Sequence, residues 1–475
     1  MSESALAEDQ PPNVPNDGWG TLFRRPHLPV VVVLASGIGL YAMNLYFTAA
    51  LMPSVVAEIG GARYYAWAST AYLITAVVAT MFVSRFLGMQ GAARSYVIAF
   101  LTFAAGTVVS AVSPTMEVFI TGRAIQGFGA GLLTGLGYAV IRTVLPGQLW
   151  TRATGLVSAM FGIGTLLGPA LGGLFAELGA WRTAFGGLAA IALVLILVTI
   201  RSLPGERVGP ASKAAVPVSS IVTLALTAAA LSISSTLTGW LVPATIIGAA
   251  ALLAVFVSVD ARNPDGVLPR LTYVRRGRLK WIYLTVAALC AGVMTENFIP
   301  LFAQELGGFP PLVAGLLGAV LSLGWVIAQL FSANASATAS SRYIRIAPWL
   351  LTGGLLGYGL LQFEAPGTGV LILWAGLLFL AGLGIGLAFP HLSVAAMSST
   401  TDQLEGSKAA AAVSTTQLIA FTLSSAIAGN LMAIGGDSLL VSARWLILGT
   451  AVLTFLGTFT SFAATGRSTG SRSPR

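Results

Sequence analysis

Two ionisable side chains lie inside apolar stretches of the sequence, Arg123 in "RAIQGFGAG" and Glu296 in "AGVMTENFIPLF". A charge at the middle of a membrane costs about 2.5–3.5 kcal/mol on insertion scales, so such a residue is a functional candidate by default. Burial favours the protonated form of a carboxyl group. We therefore predict that Glu296 exchanges a proton and that Arg123 organises charge. Two plainer interpretations stay open: a structural Arg123 bonded to backbone carbonyls, and a solvated Glu296 near an outer mouth.

Other residues capable of chemistry are scarce. The chain has two histidines and one cysteine, so neither a metal site nor an intramolecular disulfide is expected. No motif joins a nucleophile, a base and an orienting group, and we predict neither an enzyme nor a bound cofactor. The net charge of +9 is better explained by membrane orientation than by nucleic acid, and no nucleic-acid partner is expected.

The elements that must position these residues are long apolar segments. Hydrophobic residues make up 56% of the 475 residues and charged residues 9%, whereas soluble domains carry about 25% charged residues. Runs long enough to cross a bilayer as helices recur along the chain. They predict an all-α integral membrane protein with spans at 28–53, 65–87, 95–113, 117–141, 151–176, 182–203, 217–236, 240–259, 281–303, 312–333, 346–362, 369–396, 409–432 and 441–464.

These fourteen spans place both termini on the same side of the membrane. Of the 25 lysines and arginines, only Arg63, Arg182 and Arg444 would then lie outside, and Arg123 lies within a span. Basic residues gather on the cytoplasmic side of membrane proteins. The sequence therefore predicts a multi-pass protein of the cell membrane, surrounded by the lipid bilayer, with both termini in the cytoplasm.

The spans divide into groups of six, two and six. A faint repeat relates the two groups of six at a constant offset, with Arg94, Ile98, Ala99 and Gly106 matching Arg342, Ile346, Ala347 and Gly354. Such halves are typical of transporters. The predicted order is a tail (1–27), a six-helix bundle (28–203), a linker (204–216), two extra helices (217–259), a basic segment (260–280), a second six-helix bundle (281–464) and a tail (465–475).

The fifth span is unusually rich in glycine. Gly164, Gly168 and Gly172 recur at every fourth residue and so share one helix face. Small residues at this spacing let another helix approach closely in lipid, and Pro169 removes a helical hydrogen bond and should bend the helix. A static helix contact explains the same pattern and stays open.

The full pattern of this span resembles the antiporter motif of the major facilitator superfamily, with Gly155, Gly164, Gly168, Pro169, Gly172 and Gly173 in place. The resemblance implies a bent helix that seals the external side of the pathway when the protein faces inward. In the fourth span, Arg123, Gln126, Gly127 and Gly129 are similar to a second motif of drug/proton antiporters, in which the arginine is tied to proton coupling.

The two middle spans resemble the fourteen-span drug/proton antiporter branch of this family. Two positions depart from its pattern. Asn44 stands where the branch has an aspartate, and asparagine has no proton to release. The loop "SRFLGMQGAARSY" keeps Gly91 and Arg94 but has Gly88 in place of an aspartate.

The expected fold is therefore the major facilitator fold, with two six-helix bundles and two extra transmembrane helices. The expected function is secondary active export of amphipathic, drug-like or lipid-like small molecules by a monomer, through proton antiport with alternating access. Uniport or nutrient import by the same fold, and a transport-dead receptor or scaffold, are the alternatives. Candidate cavity residues are Tyr41, Asn44, Trp67, Gln329 and Gln417.

Overall fold

The computed structural model describes residues 19–24, 27–146, 149–203, 216–264, 266–275, 277–332, 335–400 and 402–466, and these residues form helices and connecting turns without any strand. The predicted tails and the 204–216 linker lie largely outside them. The helices of the first half are α1 Trp19–Leu22, α2 His27–Ile59, α3 Tyr65–Thr80, α4 Val83–Ala111, α5 Met116–Ala139, α6 Ile141–Val144, α7 Trp150–Glu177 and α8 Trp181–Ser202.

A pair of helices follows and leads into a second group. The pair is α9 Val218–Ser234 and α10 Leu241–Arg262. The second group comprises α11 Leu279–Val293, α12 Ile299–Glu305, α13 Pro311–Ser332, α14 Ala337–Leu360, α15 Thr368–Met397, α16 Gln403–Ala433 and α17 Leu439–Thr465. Short 3₁₀ turns lie at Ala62–Tyr64, Arg270–Tyr273 and Met294–Asn297.

Length and apolar composition qualify many of these helices as membrane spans. Within the described parts of the chain, ten helical segments are long and apolar enough to cross a bilayer, with α11 and α12 taken together as one, and α9 is a shorter apolar helix. Helices α3, α5 and α14 pack among them. The chain is therefore an all-helical, multi-pass membrane protein.

Glycines on α5 bring it against both of its neighbours in the first bundle. A methyl group at Gly129 would lie 2.7 Å from the carbonyl oxygen of Ala99 in α4, and one at Gly131 would overlap the carbonyl of Ala76 in α3. Only glycine permits backbones to approach so closely. These contacts fix the depth and rotation of α5.

The same contacts recur in the second half. A methyl group at Gly384 in α15 would lie 2.5 Å from the carbonyl oxygen of Ala347 in α14, and one at Gly386 would overlap the carbonyl of Trp325 in α13. Ala99 and Ala347 are one of the pairs matched by the sequence repeat. Helices α13, α14 and α15 therefore pack as α3, α4 and α5 do.

Two helical segments are interrupted at positions that differ from the predicted spans. Gly91 has φ 77° and ψ 176°, outside the helical region, inside α4. This conformation suits glycine, and it divides α4 into an arm before Gly91 and the part that packs on α5. In the other case, the span predicted at 281–303 is not one regular helix, since the 3₁₀ turn Met294–Asn297 separates α11 from α12.

The two bundles meet where α7 ends and α13 begins, which we call the closed end. There Glu177 accepts a hydrogen bond from the backbone N–H of Leu312 at 3.1 Å. Helices α3 and α16 also meet at this end, where the hydroxyl of Thr70 donates to Ser425 at 2.9 Å. These two contacts each join one helix of the first bundle to one helix of the second.

Candidate functional site

Arg123 lies in the middle of α5 and is fully buried. Its Nε donates to the carbonyl oxygen of Ala68 in α3 at 3.2 Å. Its Nη1 donates to Oδ1 of Asn44 in α2 and to Oε1 of Gln126 one turn along α5. The ring of Tyr72 covers the guanidinium at 4.3 Å, in cation–π range. One cation therefore joins three helices of the first bundle.

The network continues from Gln126 into α4. Its Nε2 donates to the hydroxyl of Thr107 at 2.6 Å, and Thr107 donates to the carbonyl of Phe103 at 2.6 Å. The hydroxyl of Tyr72 donates to the carbonyl of Tyr41 in α2 at 3.2 Å. In a low-dielectric interior such chained hydrogen bonds strengthen one another, so the four helices are joined by a continuous polar network.

Two atoms of this network carry unused hydrogen-bonding capacity. Nη2 of Arg123 and Nδ2 of Asn44 are buried without a partner among the described residues. The ion pairs given by the described residues are Arg182–Glu58 and Lys408–Glu405, and neither involves Arg123. The cation is therefore stabilised by neutral oxygens and an aromatic ring, with a donor to spare.

The predicted glycines of α5 explain how the network assembles. A methyl group at Gly127 would overlap the carbonyl of Tyr72 and lie 2.5 Å from the hydroxyl of Thr75. Glycine at 127 and 129 therefore allows α3 and α4 to approach α5 within reach of Arg123 and Gln126. The motif supplies the clearance as well as the polar groups.

Glu296 forms a second site in the other half of the chain. It lies in the 3₁₀ turn between α11 and α12, with 1% of its surface exposed. The hydroxyl of Ser322 in α13 lies 2.9 Å from Oε1 and 3.2 Å from Oε2, and donates to the carboxyl group. The turn that carries Glu296 also contacts α2 of the first bundle. The turn therefore presents a buried carboxyl between α13 and the first bundle.

Three buried polar atoms, two on the turn that carries Glu296 and one on α2, have no hydrogen-bond partner among the residues described. They are the hydroxyl of Tyr46, Oγ1 of Thr295 and Oδ1 of Asn297. Buried polar groups are nearly always hydrogen-bonded, to protein or to ordered water. The site therefore has unused capacity for water or a polar ligand beside an acid.

The glycine face of α7 lies against α2. Methyl groups at Gly164, Gly168 and Gly172 would lie 2.8, 2.6 and 2.5 Å from carbonyl oxygens of α2. On the opposite bundle, a methyl group at Gly173 would lie 2.6 Å from the carbonyl oxygen of Pro311, and the carbonyl of Pro169 abuts Gly315. Helix α7 thus packs tightly on its own bundle and on α13 at the closed end.

The remaining predicted residues are not all brought together. Tyr41 stacks on Tyr72 at 5.9 Å and so adjoins the arginine network. Trp67 instead faces α9, the first helix of the inserted pair α9–α10 between the two bundles. Its Nε1 donates to the carbonyl of Ser232 at 3.1 Å. Gln329 and Gln417 are half-buried on α13 and α16. Within the part of the chain that the structure describes, an added methyl group at position 155 has no neighbour within 4 Å, unlike one at the other motif glycines.

Sequence patterns did not identify three contributors to the two sites. Thr107 and Ser322 carry no local signal, because hydroxyl residues are common in membrane helices and often bond their own backbone. The Ala68 carbonyl contributes through its backbone alone. Their roles depend on which helices are neighbours, and that information lies outside any one motif.

The chain is similar in sequence to known membrane transporters. A model of the Major Facilitator Superfamily matches residues 34–428. The chain is 41% identical over 459 residues to a probable multidrug-efflux transporter of Mycobacterium tuberculosis (strain ATCC 25618 / H37Rv), covering 94% of this chain and 97% of that one. It is 24% identical over 390 residues to multidrug resistance protein 3 of Bacillus subtilis (strain 168), covering 79% and 74%.

Solved structures share the fold. The crystal structure of a D-xylose–proton symporter superposes with a TM-score of 0.63 at 15% identity, covering 92% of this chain and 96% of that one. A human organic anion transporter superposes with a TM-score of 0.57 at 16% identity, covering 92% and 100%. At these identities the likeness concerns architecture alone.

Proposed function

The chain belongs to the major facilitator superfamily, whose members are carriers and not enzymes, and on that premise we propose that it exports amphipathic, drug-like or lipid-like small molecules by proton antiport. The observation that carries the proposal is the buried Arg123 network on the span-four motif. The printed name of the 41% identical relative, a probable multidrug-efflux transporter, supports export of drug-like compounds. The proton gradient supplies the energy.

The proposed topology has fourteen spans. Residues 28–203 and 281–464 form the two six-helix bundles, 217–259 the two extra helices, and 260–280 a basic cytoplasmic segment. The distribution of lysine and arginine supports cytoplasmic termini, and the protein works as a monomer in the cell membrane. With this orientation the closed end faces outward.

Transport then proceeds by rocking of the two bundles. Substrate enters between them from the cytoplasm, and the closed end must part to release it outside. The contacts α7–α13 and α3–α16 support this assignment, since each joins one helix of either bundle. In this proposal the contacts at the closed end are broken when the bundles close at the cytoplasmic end, and they form again when the cytoplasmic end opens.

A disulfide across the closed end tests this movement. In a Cys290→Ala background, Thr70→Cys with Ser425→Cys replaces hydroxyls that lie 2.9 Å apart, and oxidation is expected to join α3 to α16. Transport in vesicles should stop on oxidation and return on reduction, because the bundles can no longer separate there.

A matched pair within one bundle provides the control. Thr285 and Thr460, on α11 and α17, also have hydroxyls 2.9 Å apart, and their cysteine pair should leave transport unchanged when oxidised. Equal transport by both oxidised pairs would contradict movement of α3 relative to α16.

Glu296 is the proposed proton carrier, and Arg123 sets the charge balance of the pathway. Glu296→Gln keeps the size of the side chain and an acceptor for Ser322 but has no proton to release. We expect this variant to lose the dependence of dye efflux on an imposed pH gradient. The measurement is efflux from vesicles at a fixed substrate concentration with the gradient varied.

Glu305→Gln is the companion variant, since Glu305 ends α12 and is exposed. It should respond to the gradient as the parent does. If the Glu296→Gln protein kept an unchanged gradient dependence, the assignment of the proton to Glu296 would be wrong.

Uniport is the second candidate function, and one observation favours it. Arg123 bonds to Asn44, a neutral group, so the first bundle offers this cation no carboxylate partner among the described residues. A uniporter would equilibrate its substrate at the same rate with or without a pH gradient and would never accumulate it. The efflux measurement above separates the two modes.

A further inference from the structure

Helix α9 of the inserted pair contacts both bundles at the closed end. On the first bundle, Nε1 of Trp67 in α3 donates to the carbonyl of Ser232 at 3.1 Å. On the second, Nδ2 of Asn430 in α16 donates to the carbonyl of Leu231 at 2.6 Å, and the hydroxyl of Ser234 donates to Oδ1 of Asn430 at 2.5 Å. One helix is therefore tied across the seam between the halves.

The two attachments differ in strength. Asn430 uses both ends of its amide on α9 and also donates to its own helix at Ala426, 2.9 Å away, so breaking this attachment would leave several polar groups unpaired. In hydrocarbon no water replaces such bonds. Trp67 contributes a single hydrogen bond and has no other polar atom to lose.

Packing differs in the same direction. The side chains between α3 and α9 leave a small apolar cavity toward the start of α9, lined by Ile74, Val77, Val78, Ile221, Leu224, Ala225 and Thr422. All but one of these residues belong to α3 or α9. A cavity removes van der Waals contacts from its lining, and most of this lining belongs to α3 and α9, so the cavity adds to the difference in hydrogen bonding.

Both attachments lie beside the contact between the bundles. Thr70 and Ser425 pair at 2.9 Å, and a methyl group at Gly429 would lie 2.9 Å from Cβ of Ala66. When α3 and α16 part at this level, α9 cannot keep its bonds to both.

We propose that α9 moves with the second bundle, that Asn430 is the positioning residue that holds it there, and that the Trp67–Ser232 hydrogen bond breaks whenever the closed end opens. The proposal rests on the alternating access proposed above. Helix α9 would then stabilise the closed state of the protein. The Trp67–Ser232 hydrogen bond is the contact that breaks on opening, and the contacts with Asn430 persist.

A disulfide between α9 and α16 tests which bundle α9 follows. A Cβ at Gly429 would lie 3.6 Å from Cβ of Ser235, within the range of about 3.5–4.5 Å that disulfides use. In the Cys290→Ala background, the oxidised Gly429→Cys/Ser235→Cys protein is expected to transport as its reduced form does. A loss of transport on oxidation that reductant restores would overturn the proposal.

A second measurement needs no transport, so it distinguishes failure of the proposal from failure of the proposed function. Thr70→Cys places a thiol at the buried α3–α16 contact, where maleimide labelling reports opening in purified protein. Adding Trp67→Phe should raise the labelling rate about 2- to 10-fold, the effect of one hydrogen bond, with a smaller fall in melting temperature than Asn430→Ala causes. Adding Asn430→Ala should lower the melting temperature more, since α9 loses its permanent attachment.

An unchanged labelling rate in the Trp67→Phe protein would show that the Trp67–Ser232 hydrogen bond does not oppose opening, and the proposal would fail. The same holds if Asn430→Ala raised the labelling rate more than Trp67→Phe at an unaltered melting temperature. In that case α9 would follow the first bundle.

Discussion

Replacement of Arg123 by alanine is expected to lower gradient-driven efflux at least about a hundredfold. The substitution removes donors to Ala68, Asn44 and Gln126 at once. Hydrogen bonds to a charged group contribute about 1.5–3 kcal/mol each, and about 1.4 kcal/mol corresponds to a factor of ten. Initial rates of dye efflux in vesicles with an imposed pH gradient measure the loss.

Two further variants separate charge from geometry and from folding. Arg123→Lys keeps the charge but loses the planar fork that reaches two oxygens together, and it should recover only part of the activity. Arg201→Ala, at the exposed end of α8, should transport as the parent does. Parental efflux by a well-expressed Arg123→Ala protein would mean that the network only stabilises the bundle.

The second large effect concerns the glycine face of α7. In the Gly168→Ala protein the new methyl group would lie 2.6 Å from the carbonyl oxygen of Met43, so α2 and α7 must separate. Overpacking of this kind costs about 1–3 kcal/mol. We expect a lower melting temperature in detergent together with slower efflux, because α7 also carries the contact with α13.

Gly155→Ala is the matched control, on the same helix and in the same motif. A methyl group there has no neighbour within 4 Å among the residues described, and alanine is the better helix former. Melting temperature and efflux should equal or exceed those of the parent. Equal behaviour of the two variants would show that α2 and α7 do not pack as closely as described.

The sequence predicted the fold class, and helical spacing accounts for part of the geometry around Arg123. Arg123 and Gln126 are three residues apart, so helical geometry alone places them on one face, and their hydrogen bond follows. The glycine spacing on α7 likewise predicts a close helix contact. The repeat indicated equivalent halves, and the paired contacts at Gly129 and Gly384 support that interpretation.

Other features depended on relations between helices that spacing does not encode. Asn44 was a candidate because of its position in a motif, but its bond to Arg123 requires a particular rotation of α2 against α5. Ser322 and Thr107 became visible only once their helices were placed beside Glu296 and Gln126. Trp67 shows the converse, since the sequence predicted it as a cavity residue, but its Nε1 donates to the carbonyl of Ser232 in α9.

The recurrence of glycine contacts in the two halves bears on how the chain evolves. Aligning Gly127 with Gly382 places Leu378 at the position of Arg123 and Ala381 at that of Gln126, and both are buried apolar residues. The two halves therefore share these close glycine contacts, but only the first has polar side chains at the corresponding positions. Natural variation should accordingly be freer at 378 and 381, where any apolar residue of similar volume serves, than at 123 and 126, where a substitution disrupts four helices together.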